Sequence, residues 1–463
     1  MRKGTQKKHF KSKKKAVNLP KHLEHINKMA AGIDIGSKSH FVAVPEGCDE
    51  VCVREFGSFT SDLYALADWL EKCGIETIAM ESTGVYWIPL YELLESRGFE
   101  VRLVDARHVK NVSGRKTDVM DCQWLQQLHT YGLLSGAFRP KEQTCVLRAY
   151  VRQRSMLVQQ VAAHIQHMQK ALSQMNVQLH NVITDIMGAT GMRIIRAIVG
   201  GERNPKLLAT YRDGRCKNPL AIIEKSLTGN YRDEHVFALK QALELCDVYQ
   251  SKIETCDDEI EKQLLTFETR KDVTKKGLEK CSKKPKAKNA PSFNLQEHLI
   301  RMTGVDLTAV PGIQAYSGLK IISEIGLDFS RWKTSKQFAS WLGLCPGNKV
   351  SGGKRLGGKT KRVRNRAAST LRMAANTLYR NDSALGAYFR RLKFRLGAPK
   401  AITATAHKLA IIIFNMLKNG IEYVEIGQNY YEQQYHERMV KNLSMRAKTL
   451  GFELKEISVN SIG

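Results

Sequence analysis

At 463 residues the chain exceeds one ordinary domain, and a hydrophobic fraction of 43% supports two or three folded units with real cores. The sequence shows no apolar run of bilayer-spanning length, and MRKGTQKKHFKSKKK lacks the apolar stretch of a signal peptide, so the expectation is a soluble intracellular protein without a membrane partner. A formal net charge of +28 favours a polyanionic partner, since Lys and Arg neutralise phosphates and release condensed counterions; it narrows the partner and not the reaction.

Residues 1–28 carry ten Lys/Arg against the single Glu24 and read as a basic disordered arm. From Ala30, AGIDIG, HFVAV and VCVREFGSF read as strands joined by tight turns. SDLYALADWLEKCG follows as a helix, ETIAMESTG as a strand, YWIPLYELLESRG as a helix and FEVRLVD as a strand. A helix through DVMDCQWLQQLHTYGLL closes this α/β domain, assigned to 29–144.

From Cys145 the pattern becomes helical. Val158, Val161, Ile165, Met168, Leu172, Met175 and Leu179 form an a/d seam, and Leu239, Ala242, Cys246, Tyr249, Ile253, Cys256 and Ile260 form a second. An intrachain hairpin and an intermolecular coiled coil fit equally well. Between the seams, glycines and prolines break GATGMRIIRAIVGGERNPKLLATYRDGRCKNP into a compact insertion. The helical region spans 145–268 and a basic linker 269–297. In the C-terminal domain, 298–425, DLTAVPGIQAYSGLKIISEIG predicts helix, Pro-Gly turn and helix, a hairpin able to present backbone amides to a DNA phosphate; 426–463 reads as a tail. The ten cysteines are scattered, and Cys48 and Cys52 lack a second pair at zinc-finger spacing, so free thiols are expected.

Four acids stand out. Asp34 interrupts an apolar strand, where an unpaired charge costs several kcal/mol. Glu81 ends the apolar strand TIAM, and Asp118 and Asp121 lie three apart on one helix face, where like charges repel unless a cation sits between them. Singly, each has a structural explanation: a turn cap, a surface ion pair, a helix N-cap. Together, in this order, they fit an RNase H-like nuclease holding Mg²⁺ (or Mn²⁺) on carboxylate oxygens. IDIGSKSH also looks like the phosphate-binding hairpin of actin-like kinases, but those need a second Gly-rich hairpin and an adenosine motif, which 145–263 lacks.

The stretch Arg331 to Arg380 holds thirteen Lys/Arg and no acid. Within it, SGGKRLGGKTKRVRNR sets Ser351 beside paired glycines that allow close backbone approach to a phosphate, and Lys349, Lys354, Arg355, Lys359, Lys361, Arg362, Arg364 and Arg366 are the nucleic-acid-binding candidates. On residues alone Ser351 reads as a serine in a flexible turn, since no base to activate it is evident nearby.

AGIDIGSKSH, MESTGVYW, VDARHVKNVSGRKTDVMDCQWLQQLHTYGLL and the block from LTAVPGI through FASWLGLCPGNKVSGGK to TLRMAA are similar to motifs of the transposases of insertion-sequence family 110, in the same order along nearly the whole chain. The resemblance implies an RuvC-like (RNase H-like) N-terminal domain, a helical coiled-coil middle and a mainly helical C-terminal domain. It makes Asp34, Glu81, Asp118 and Asp121 the metal-binding DEDD tetrad and Ser351 the nucleophile that joins covalently to DNA. It further implies a homo-oligomer (dimer or tetramer), a noncoding guide RNA, and a cytoplasmic, nucleoid-associated place in a prokaryote. The alternatives are a RuvC-type endonuclease without a covalent intermediate and a non-catalytic nucleic-acid-binding protein.

Overall fold

The computed structural model describes residues 25–82, 84–104, 118–271, 289–361, 363 and 365–455; at 349, 350 and 355 only the backbone is considered. The basic arm to Glu24, most of the basic linker, Arg362 and Arg364 lie outside the described residues. The chain divides into two compact units between Arg139 and Pro140.

In the first unit β1 (Ala30–Ile35), β2 (Ser39–Ala43) and β3 (Val53–Gly57) form an antiparallel meander. Helix α1 (Thr60–Lys72) leads to β4 (Thr77–Glu81), and α2 (Trp87–Ser96) leads to β5 (Glu100–Val104). Strand β4 pairs parallel with both β1 and β5, giving the sheet order β3-β2-β1-β4-β5. Three antiparallel strands extended by two parallel ones are consistent with the expected RNase H-like domain. Alternation along β1 sends Ala31, Ile33 and Ile35 into a core with Leu63, Leu66 and Leu70 of α1 and Leu90 and Leu94 of α2. Those α1 leucines recur at helical spacing, which is why the segment buries one stripe. On the opposite sheet face, Ala30, Gly32 and Ala79 are small, and α3 (Asp118–Thr130) covers them, its Leu125 packing with Ala79 and Val104. Helix α3 ends at Thr130, short of the predicted Leu134, where the chain turns through Gly132 at φ 65°.

The second unit is mostly helical. Helices α4 (Glu142–Gln174) and α9 (Asp233–Leu265) run antiparallel: Gln263 donates to the Gln143 carbonyl, Arg154 pairs with Asp257, and the His164 and Tyr249 rings stack. The first seam's partner is thus the second seam of the same chain. Four short helices, α5 (Leu179–Val182), α6 (Ala189–Val199), α7 (Pro205–Thr210) and α8 (Leu220–Ser226), form the compact insertion and share a core with the adjoining ends of α4 and α9.

Beyond the linker come α10 (Leu295–Thr303), a 3-10 turn (Leu307–Ala309), α11 (Ala315–Ile325) and α12 (Ser335–Trp341). The first arm of the predicted helical hairpin is only that single 3-10 turn. Pro311 cannot donate a backbone hydrogen bond and Gly312 takes φ 84°, so the helix cannot extend through them. A two-stranded hairpin, β6 (Lys349–Ser351) and β7 (Lys354–Gly357), precedes α13 (Arg366–Thr377), a 3-10 turn (Leu378–Arg380), α14 (Ala384–Leu396), α15 (Ala398–Asn419) and α16 (Gln428–Thr449). The expectation that no apolar run reaches bilayer-spanning length fails at α15, which is long and apolar enough by composition; here it packs against α12, α13 and α14. Phe414 of α15 joins Phe329 and Phe338 in an aromatic cluster.

Candidate functional site

Gly32 determines where α3 can lie. A Cβ on Gly32 would stand 2.3 Å from both the Cys122 carbonyl oxygen and the Gln126 backbone nitrogen, so the helix backbone rests directly on β1. Two residues further along the strand, and therefore on the same sheet face, is Asp34. The helix begins at Asp118, so its first turn delivers Asp118 and Asp121 to that end of the strand. One ligand oxygen from each of Asp34, Asp118 and Asp121 falls within 4.8 Å of the others. Asp34 and Asp121 are half-buried and Asp118 is exposed, leaving the group open to a ligand from solvent.

Glu81 is not one of the three converging acids. It ends β4, whose parallel register sets Gly32 beside Ala79 and Ile33 beside Met80; continued by one residue, that register puts Glu81 next to Asp34 on the α3 face. Cys122, one residue past Asp121, is buried, and its thiol is pushed up to about 12 first by burial and then by the charges of Asp34 and Asp121. It stays protonated and donates to the Val119 carbonyl at 3.2 Å. The donors offered are therefore carboxylate oxygens, which suit a hard divalent cation such as Mg²⁺ or Mn²⁺.

At the other end of α3, His129 is fully buried. Thr77 Oγ1 lies 2.9 Å from His129 Nε2 and donates its one proton to the Glu100 carbonyl at 3.1 Å, so Nε2–H is the donor to Thr77. Nδ1 is left buried without a partner among the described residues. Burial, and secondarily the charge of Arg102, pulls the imidazole down to about 4.

In the second unit, the Ser351 loop is an ordered hairpin and not the flexible turn its residues suggested. Its base is closed by a bridge between Pro346 and Thr360 and by Gly347 N–H donating to the Lys359 carbonyl at 3.0 Å. Gly352 and Gly353 turn the chain with φ 54° and 73°, the doubly left-handed turn whose twist matches paired strands. Ser351 pairs with Lys354 across that turn and is exposed. Lys354, Lys359, Lys361 and Arg366 are exposed as well; Lys349 and Arg355 sit in the two strands. Asn365 caps α13, its side chain accepting from Ala368 N–H at 3.0 Å, which fixes where the basic segment ends and the helix begins.

Sequence reasoning missed Gly32 and Asn365. The signal for Gly32 was the small-residue run AAG before Asp34; for Asn365 it was an Asx residue three before the alanine it caps. All nine described cysteines are free thiols, Cys48 and Cys52 among them.

No curated protein gives a significant match to the chain. Two family models do match: a DEDD transposase model over residues 31–177, which contains the acidic group and α3, and a model described as "Transposase IS116/IS110/IS902 family" over 306–390, which contains the Ser351 hairpin and α13. With the two models matching in the order the motifs run, the chain belongs to the IS110 family of transposases, enzymes that recombine DNA.

Proposed function

We propose that this transposase cuts and rejoins DNA strands of an insertion sequence through a covalent phosphoserine link, with Asp34, Glu81, Asp118 and Asp121 holding divalent metal and Ser351 as the nucleophile. The observation that carries the proposal is the convergence of three acids from two elements on one point in a transposase. A Mg²⁺ or Mn²⁺ ion held there supplies charge stabilisation at phosphate oxygens.

The chain's own residues do the rest. The lysines and Arg366 around the hairpin hold the DNA backbone by its phosphates, and the Gly352-Gly353 turn has no side chains to keep the backbone away. Ser351 Oγ forms a bond to phosphorus, one bridging P–O bond to the deoxyribose breaks, and the serine proton leaves as the departing oxygen gains one. The phosphodiester energy is retained in the serine link, so a second DNA hydroxyl reverses the exchange and frees Ser351. The turn at Pro311-Gly312 with α11 is read as a further phosphate-positioning element, and the protein as a homo-oligomer (dimer or tetramer) whose copies meet elsewhere than at the seams that α4 and α9 bury against each other. The resemblance to the IS110 family implies a noncoding guide RNA as a second polyanion, with which the surplus of positive charge is compatible.

Protein, Mg²⁺ and element-end DNA run on a denaturing gel should give a protein–DNA adduct that Ser351→Ala abolishes. An adduct that survives the substitution overturns the serine assignment, and cleavage without any adduct identifies a hydrolase instead. Sequencing the RNA that copurifies with the protein tests the guide: one defined transcript from flanking DNA supports it, and bulk cellular RNA refutes it.

A further inference from the structure

A second nucleic-acid feature lies on the far side of α13 from its capped start. Phe394, on α14, is 98% exposed, in a protein whose other phenylalanines on that helix pair, such as Phe389 at 1%, are buried. A singly exposed Phe is ordinary by itself, and what singles Phe394 out is whether its exposed neighbours share one chemistry. Here they do. The exposed Arg395 and Lys400 flank it, and Lys393 precedes it with its ammonium 3.8 Å above the Tyr379 ring. From Arg331 to Ile421 the chain carries twenty Lys/Arg against the single acid Asp382.

Lys393, the residue before Phe394, lines a cavity of about 300 Å³ between the end of α13 and the start of α15. It is lined by Tyr379, half exposed, by Phe389 and Ala398, and by the polar Asn376, Thr377, Arg380 and Lys393. An aromatic ring, one amide with both donor and acceptor, and two cations in one lining match a nucleobase joined to its phosphates. A duplex keeps its bases stacked and paired, whereas an unpaired strand offers both faces and edges.

We infer that Tyr379, Lys393 and Phe394 form a platform for unpaired nucleotides, one base entering the cavity beside the Tyr379 ring, whose face Lys393 covers, and an adjacent one stacking on Phe394. The platform binds single-stranded nucleic acid, whether displaced DNA or RNA, and is independent of Ser351 chemistry because binding is read without cleavage.

The test uses the full chain and three fluorescein-labelled probes of one sequence: single-stranded DNA, single-stranded RNA and the DNA duplex, titrated by anisotropy at two ionic strengths. Phe394→Ala should weaken binding of at least one single strand about tenfold, the scale of one lost stacking contact, while changing the duplex less than about twofold. The loss should be the same at both ionic strengths, and Phe394→Trp should restore binding. Tyr379→Phe should bind as wild type and Tyr379→Ala should not. Because Phe394 is fully exposed, its replacement leaves the fold intact. Unchanged single-strand affinity in Phe394→Ala, or equal loss on single strand and duplex, overturns the inference. The single strand that loses more identifies the source of the bases.

Discussion

Gly32 and Cys122 leave no room for a side chain between strand and helix: a Cβ on Gly32 would stand 2.3 Å from the Cys122 carbonyl oxygen. This contact sets the spacing between β1 and α3, and with it the separation between Asp34 on the strand and Asp118 and Asp121 on the helix. A residue that touches no ligand thereby controls the geometry of the acidic site.

Gly32→Ala should therefore push α3 off the strand and weaken Mn²⁺ binding by about 10- to 100-fold, as changes in ligand support do, with the helical content preserved. Titration calorimetry with Mn²⁺, alongside circular dichroism, reads both quantities. Wild-type Mn²⁺ affinity in the variant would separate helix placement from metal binding.

Asp34→Asn keeps the shape of the acid but removes its charge. Strand cleavage should fall at least about 100-fold, the scale of several kcal/mol of lost charge stabilisation, while DNA binding in a gel shift stays largely intact. Mg²⁺ should raise the melting temperature of the wild type and not of the variant, because a ligand stabilises only a state that binds it. A variant that cleaves at the wild-type rate would remove Asp34 from the site.

Arg154 and Asp257 are an ion pair in which both side chains are almost wholly buried, with exposures of 1% and 3%. Arg154 also donates to the Asn289 carbonyl and lies over the Tyr316 ring, and Asp257 accepts from Ser292 N–H, so the pair ties the long helices to the end of the linker and to α11. Asp257→Ala leaves a buried guanidinium uncompensated and should destabilise the protein by about 3–5 kcal/mol. Replacing both partners with apolar residues of similar volume should recover most of that loss. Urea denaturation midpoints measure each, and a loss below about 1 kcal/mol for the single variant would show that the charge is not buried in solution.

His129 makes stability depend on pH. Its folded-state pKa, about 4, lies below its ordinary 6.5, so the unfolded chain binds the extra proton and the folded one does not. The contribution is complete above 6.5 and is lost as the pH falls from there toward 4. His129→Gln should flatten this part of the profile. Denaturation midpoints followed across that interval check it, and an unchanged slope in the variant would place the dependence elsewhere.

The alternation of β1, the leucine stripe of α1 and the two apolar seams were legible because each is a local period that one element imposes on its own residues. The same locality explains where expectation and structure parted. Whether the seams pair within the chain depends on the insertion between them, which brings α9 back along α4. The order in Ser351's loop comes from strand pairing across Gly352-Gly353 and a bridge to Thr360, contacts that composition cannot show. The apolar composition of α15 did not reveal which of its faces is packed; α12, α13 and α14 decide that.

By itself, the sequence determined the ingredients: four acids at strand and helix ends, a serine among glycines and cations, and the helical or extended character of most segments. Only tertiary structure decided that Asp34, Asp118 and Asp121 share one point. Asp34 is separated from the other two by more than eighty residues of chain, and they are brought together by a glycine that lets a helix touch a strand. Period and propensity act over a few residues, whereas a metal-binding site is defined by distances across elements, and those are fixed only when the elements pack.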